Sequence, residues 1–174
     1  YYAELERQRL QEIAEQERKK KELEEQMHDV YIEASHREGM YGRLFIPDIG
    51  VNVALFTSSD DRGQAVTDAQ DSAWYFSWDD TPTMFIADHW NQGFGAIKQC
   101  IVGETEAYII TCNNTKIDYI CTASFPGHNL LKDMTDNDYN SILNTNTQDI
   151  SRVVPYTCNG HWKNVWIVYF DKID

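Results

Sequence analysis

The sequence predicts a mostly β protein, a closed barrel of short strands preceded by one long amino-terminal helix. Three observations carry that expectation. Residues 3–36 are rich in Glu, Gln, Lys, Arg and Leu, and no Gly or Pro interrupts them before Gly39, which is the composition of a continuous helix. After Gly39 the texture changes to short apolar runs broken by Gly, Pro, Asn and Asp, the pattern of strands and turns. Many short strands in one modest domain favour a closed barrel or a sandwich. At 174 residues the chain has room for one domain with a moderate core plus an appendage. The division expected is a charged helix over residues 1–39 and a barrel over residues 40–174.

Within the helix, Leu5, Leu10 and Ile13 are sparse, and residues 16–22 include no apolar side chain. Leu23, Met27, Val30, Tyr31 and Ala34 hold helical spacing, so the second half is expected to pack on the barrel. The first half reads as a solvated rod or a weak coiled coil, which leaves helix-mediated self-association open. The basic run from Arg18 to Lys21 is flanked by acids and reads as a solvated face. Beyond the helix, residues 44–46 and 51–56 flank a turn at residues 47–50, and residues 58–63 form a loop. Residues 73–78 and 83–87 bracket a turn at 79–82, and residues 94–100 form a short helix or bend. A hairpin over residues 105–123 turns at Asn114-Thr115. The long connection over residues 125–152 is expected to hold a small helix near 136–145, capped by Thr135, with Tyr139, Ile142 and Leu143 on one face. Two strands end the chain.

The net charge of −13 and the pI near 4.7 argue against nucleic acid and against an anionic membrane surface as partners. Residues 1–40 carry net −4 and residues 41–174 net −9, so most of the acid lies in the barrel. No apolar run reaches the eighteen residues of a membrane span, and the chain opens on a charged helix rather than a signal peptide. Four cysteines are present. The expected hairpin pairs Cys112 with Ile117 and Cys121 with Tyr108, which sets the two thiols roughly 13 Å apart, beyond disulfide reach. Both read as buried free thiols, and Cys100 as a core residue. Asp60-Asp61, Asp79-Asp80 and the Asp133, Asp136 and Asp138 group lack the spacing of a calcium loop. No cofactor and no metal is expected.

The chemistry gathers near the carboxyl terminus. Residues 153–160 run an apolar stretch through Thr157-Cys158 to Asn159-Gly160, and a strand follows over residues 164–170. A thiol at the tip of a strand is a rigidly placed nucleophile. Upstream, residues 84–89 form a second apolar strand that ends in His89. A thiol attacks as its thiolate and needs a cationic or hydrogen-bonding neighbour, and His89 is that candidate, acting later as general acid. If Asn159-Gly160 makes a two-residue turn, His161 lies directly opposite Cys158, with Lys163 projecting beside it. His128, in the long connection, is a further candidate for lining the groove. Most of the tryptophans and tyrosines read as core and groove lining.

These segments, in this order, resemble the sortases, the cysteine transpeptidases that attach proteins to Gram-positive cell walls. Residues 42–51 are similar to the family's opening strand, with Ile46-Pro47 before an apolar Gly turn. Residues 87–91, Gly93-Phe94 and Gly103-Glu104 follow the pattern around the family's histidine, and Thr157-Cys158 matches its nucleophile strand. Residues 71–76 resemble the segment before the histidine in class B sortases. The resemblance covers residues 41–172 and implies a sortase-type barrel in which Cys158 and His89 are catalytic. It further implies a peptide sorting signal of a secreted protein as acyl donor, and an amine of the cell wall or of another protein as acceptor. The implied location is the outer face of a Gram-positive membrane, held by an amino-terminal segment absent from this chain. Two departures stand out. The family's arginine on the last strand has no counterpart after Arg152, the matching position falling near Asn164, and the family's Gly before the histidine is Asp88. Asn164 offers one neutral hydrogen bond where a guanidinium offers a charged fork, while Asp88 is expected to favour the imidazolium. The alternative these departures leave open is a sortase fold that binds a peptide or an envelope partner without turnover. A structural role, with the helix as docking arm, is a third reading.

Overall fold

Alternation of side chains along the strands decides what closes on what. The computed structural model describes residues 1–59, 63–77, 82–145, 151–161 and 164–174. Strands β1 (Met40–Ile46) and β2 (Val51–Phe56) form a hairpin through a 3-10 turn at Pro47–Ile49, and Gly50 ends that turn at φ 71°. A residue without Cβ enters this left-handed conformation freely. β2 pairs in parallel with β3 (Ser72–Phe76), which pairs antiparallel with β4 (Thr83–Ala87). β4 runs parallel to β8 (Arg152–His161), and β8 is antiparallel to β9 (Asn164–Lys172). The ring continues through β6 (Lys116–His128) and β5 (Glu106–Thr111) back to β1, closing eight strands. The two-residue β7 (Thr135–Asp136) hangs on the far end of β6.

Period-two burial then sorts the apolar residues into layers. Leu44, Ile46, Val53, Ala73, Ile86, Ile109, Val153 and Val168 join one core inside the ring. Their sequence neighbours face outward: Phe45, Ala54 and Ile110 meet the helix α1 (Tyr2–His36). Phe85, Ala87, Val154, Tyr156, Val165 and Ile167 form a second outer layer. The connection after β6 covers that layer, with Met134 and Ile142 buried in it.

The helix runs unbroken for 35 residues, as the sequence predicts. Val30 is 2% exposed, with Leu23, Met27 and Ala34 packed beside it, whereas Leu5, Leu10 and Ile13 are 46, 57 and 41% exposed. Polar contacts fix the docked end. Both carboxyl oxygens of Glu33 accept from Arg43, at 2.7 and 2.9 Å, and Arg43 reaches on to Asp71 at 2.6 Å. Burial alone would push Glu33 up, but hydrogen bonds from Arg37 and Arg43 hold it below the ordinary carboxylate value.

Three local expectations are corrected. The β5–β6 hairpin pairs Ile109 with Ile117, three positions from the expected register. Asn114 takes φ 62° inside a longer turn, closed by Thr111 N–H to Thr115 O at 2.9 Å. Cys112 therefore sits half-buried in that turn rather than buried in a strand, and all four cysteines are free. The expected helix near 136–145 shrinks to α3 (Ile142–Thr145). The Asp136 carboxylate accepts the backbone N–H groups of Asp138 and Asn140, both at 2.9 Å, an alternative that competes with helical bonding. The tip of the 58–63 loop and the turn at 79–82 lie largely outside the described residues.

Replacing Val30 by Ala is expected to lower the unfolding free energy by about 2 kcal/mol. The double change Leu10→Ala and Ile13→Ala should stay within about 0.5 kcal/mol, both read from urea titrations at low protein concentration. A large loss from the second variant would show that the first half of α1 is packed in solution.

Candidate active site

Two strands place the reactive side chains. β4 and β8 run parallel with Ala87 opposite Tyr156. Thr157 Oγ1 donates to the Asp88 carbonyl at 2.8 Å, which carries the alignment one residue past the paired strand. One step further along each chain segment come His89 and Cys158. Parity puts both on the outer face, since Phe85 and Ala87 on β4, and Val154 and Tyr156 on β8, already lie in the outer layer. The two side chains line one cleft of about 630 Å³, walled by Trp74, Leu130, Leu131 and Tyr156. Cys158 is half-buried there.

His89 is held from the other side by a short helix, α2 (Gln64–Asp68). Its Nε2 meets Asp68 Oδ1 at 2.8 Å, and Asp68 also accepts from Gln64 Nε2 at 2.7 Å. The hydrogen bond with His89 leads in drawing Asp68 below the ordinary carboxylate value. Helix α2 starts at Gly63, φ 63°, packed so tightly on the Trp74 ring that a Cβ would lie 2.1 Å from it. With Nε2 engaged by a carboxylate, Nδ1 is the nitrogen that any proton transfer in the cleft would use.

Asp88 does not sit beside the imidazole as expected. Its side chain is 5% exposed and turns under the loop, where Oδ1 accepts the His89 N–H at 2.8 Å and Oδ2 the Gly93 N–H at 3.1 Å. A Cβ at Gly93 would come within 2.6 Å of Oδ2, so the glycine makes room for the carboxylate. Burial pushes the Asp88 carboxyl up to about 6, against the pull of those two N–H donors. The carboxylate against the His89 ring is Asp68.

The expected tight turn at Asn159-Gly160 is also corrected. β8 continues to His161, which pairs with Asn164, while Cys158 pairs with Val165; the register shifts between the two pairs. The extra residues are absorbed as a bulge, so His161 follows Cys158 on one strand instead of facing it. The His161 side chain and Lys163 lie outside the described residues. Asn164 is exposed and stands one pair beyond the residue opposite Cys158. Val165, which does face Cys158, is fully buried and apolar. Arg152, at the opposite end of β8, is bonded to Asp171 at 2.6 and 3.1 Å. His128 stacks on Tyr139 with ring centroids 4.4 Å apart; its neighbour Asn129 lines the cleft. Burial raises the Cys100 thiol to about 12 and raises that of Cys121 as well, which makes both poor nucleophiles.

Sequence reasoning missed Asp68 and Tyr156. Asp68 is one acid among 28, and no periodicity marks its five-residue helix. Tyr156 was open to discovery, because a residue two before a nucleophile on a strand shares its face.

No family model matches the sequence, and no curated protein matches it. Solved structures do. Sortase C2 of Group B Streptococcus pilus island 1 superposes with a TM-score of 0.60 at 10% identity, over 79% of this chain and 76% of that one. Streptococcus pneumoniae sortase C gives 0.61 at 12%, over 79% and 70%. Sortase C from Clostridium perfringens SM101 gives 0.57 at 14%, over 88% and 86%. The fold is the sortase barrel. These are sortase C structures, whereas residues 71–76 pointed to class B, and a likeness at this identity establishes the barrel without choosing the class.

Asp88 supplies a pH test. Its folded value, about 6, lies above the ordinary 3.8, so the folded chain holds this proton more tightly. The stability it contributes is present below about pH 3.8 and is lost as pH rises through about 6, a difference of roughly 3 kcal/mol. Asp88→Asn should remove that slope, so the stability of the variant minus that of the unmodified protein rises between about pH 4 and 7 in urea titrations. A flat difference would show a carboxyl with its ordinary affinity.

Proposed function

We propose that this protein is a cysteine transpeptidase of the sortase type. The observation that carries the reading is that Cys158 and His89, both beyond the last pair of two parallel strands, line one cleft. The Cys158 thiolate adds to a backbone carbonyl of a peptide lying in that cleft and forms a tetrahedral intermediate. His89, as imidazolium, gives its proton to the departing amine as the C–N bond breaks, leaving a thioester on Cys158. A second amine adds to the thioester carbonyl, the neutral imidazole takes its proton, and the C–S bond breaks to return the thiolate beside the imidazolium. The structural neighbours include pilus-related sortases, which supports a sorting signal of a secreted protein as donor and an amine of the cell wall or of another protein as acceptor. The outer face of a Gram-positive membrane is the location that fits this reading.

Binding without turnover is the second reading, favoured by one observation. The residue facing Cys158 on β9 is buried Val165, and no arginine follows Arg152. Losing one oxyanion donor slows acyl transfer by about 10²–10³-fold, so the active form of the proposal is a slow enzyme.

The experiment uses Cys112→Ser protein, which removes the other thiol that is not deeply buried. Iodoacetamide is expected to modify Cys158 fast near neutral pH, and His89→Ala should slow it by about tenfold or more. A pooled library of acetylated, amidated hexapeptides should leave an acyl adduct on Cys158 in intact-mass spectra, discharged by glycinamide. Fast alkylation without any adduct selects the binding reading, and an inert Cys158 overturns both.

A further inference from the structure

Tyr156 stands on β8 two residues before Cys158, on the same outer face and roughly 7 Å along the strand. It lines the cleft, yet is only 2% exposed. Among the described residues its Oη is the one buried side-chain polar atom with no hydrogen-bond partner. Buried hydroxyls are almost always paired, and phenylalanine would fill the same space without an orphaned donor. The ring sits edge-on to Phe76, centroids 6.3 Å apart at 81°, within a packed aromatic and aliphatic layer. Burial raises the phenol well above its ordinary value, so at neutral pH the group keeps its proton and acts as a neutral donor.

Resting on the transpeptidase reading, we infer that the Tyr156 hydroxyl donates a hydrogen bond to a main-chain carbonyl of the acyl-donor peptide, as the cleft's own binding donor beside Cys158. The ligand class is an extended peptide, whose carbonyls recur along one edge at strand spacing and whose apolar side chains meet Trp74, Leu130 and Leu131. The cover over Tyr156 is the segment that yields. Leu130, Leu131 and Met134 pack on the layer that holds the ring. Asn129 and Leu131 are held at φ 63° and 60°, and for leucine that is a strained conformation. A shift of this segment opens Oη to the peptide and lets Leu131 relax.

The test compares Cys158→Ala protein with the double variant Cys158→Ala, Tyr156→Phe, using a library hexapeptide chosen by its binding to the first. Tyr156→Phe keeps the ring and removes only the hydroxyl. Affinity should fall by about 3- to 10-fold while the melting temperature is unchanged or higher. Equal affinity with a higher melting temperature overturns the inference and leaves the hydroxyl a packing defect. Absence of any hexapeptide that binds also overturns it. Failure of the transpeptidase reading looks different: the affinity loss appears, but no acyl adduct forms on intact Cys158.

Discussion

Parallel pairing of β4 with β8 is the constraint from which the cleft follows. Neighbouring strands stand about 4.8 Å apart and their side chains alternate, so a slip of one residue would turn a whole set of side chains to the other face. Apolar burial forbids that slip here. Phe85 and Val154 must lie in the outer layer while Ile86 and Val153 fill the barrel interior. Hydrophobic packing on both faces therefore fixes the position of two polar residues that contribute nothing to it. The Thr157 hydroxyl on the Asp88 carbonyl extends the alignment past the last strand pair, where the ladder alone would no longer hold His89.

Behind the histidine, two carboxylates divide the work. Asp88 is a structural acid: it accepts two backbone N–H groups across the loop from His89 to Gly93 and sets the direction in which the chain leaves β4. Asp68 meets the ring itself and decides which nitrogen is free. Because Asp68 is 58% exposed, its bond contributes little to stability, and its main effect is on orientation. Arg43 links this region to the amino-terminal helix, since it binds both Glu33 on α1 and Asp71 just after α2.

How much of this was legible in the sequence depended on how local each signal was. The long helix, its two unequal halves and the β1–β2 hairpin follow from composition, spacing and a Pro–Gly turn. Cys158 and His89 stood out because each ends an apolar run. Errors arose where a side chain redirected the backbone. Asn114 in a left-handed conformation lengthened a turn and moved a hairpin register by three residues. Asp136 bonded nearby N–H groups and stopped a helix from starting, and Asn159-Gly160 entered a bulge instead of a turn. Asp68 was illegible for a different reason: its partner is 21 residues away, and only the docking of Gly63 on Trp74 brings the two together.

The absent arginine and the added acids push the proposed chemistry in one direction. A carboxylate at 2.8 Å from the imidazole holds the ring in one orientation, a contact already made before any peptide reacts. The same negative charge offers nothing to an oxyanion, and the Val165 side chain facing Cys158 adds no donor. What the described side chains supply is thus orientation of the imidazole rather than a donor for the tetrahedral intermediate. Interactions that are stronger before the transition state than in it do not speed the chemical step. Under the transpeptidase proposal such a site acylates slowly, so what it gains in selectivity must come from the peptide that the cleft retains long enough to react.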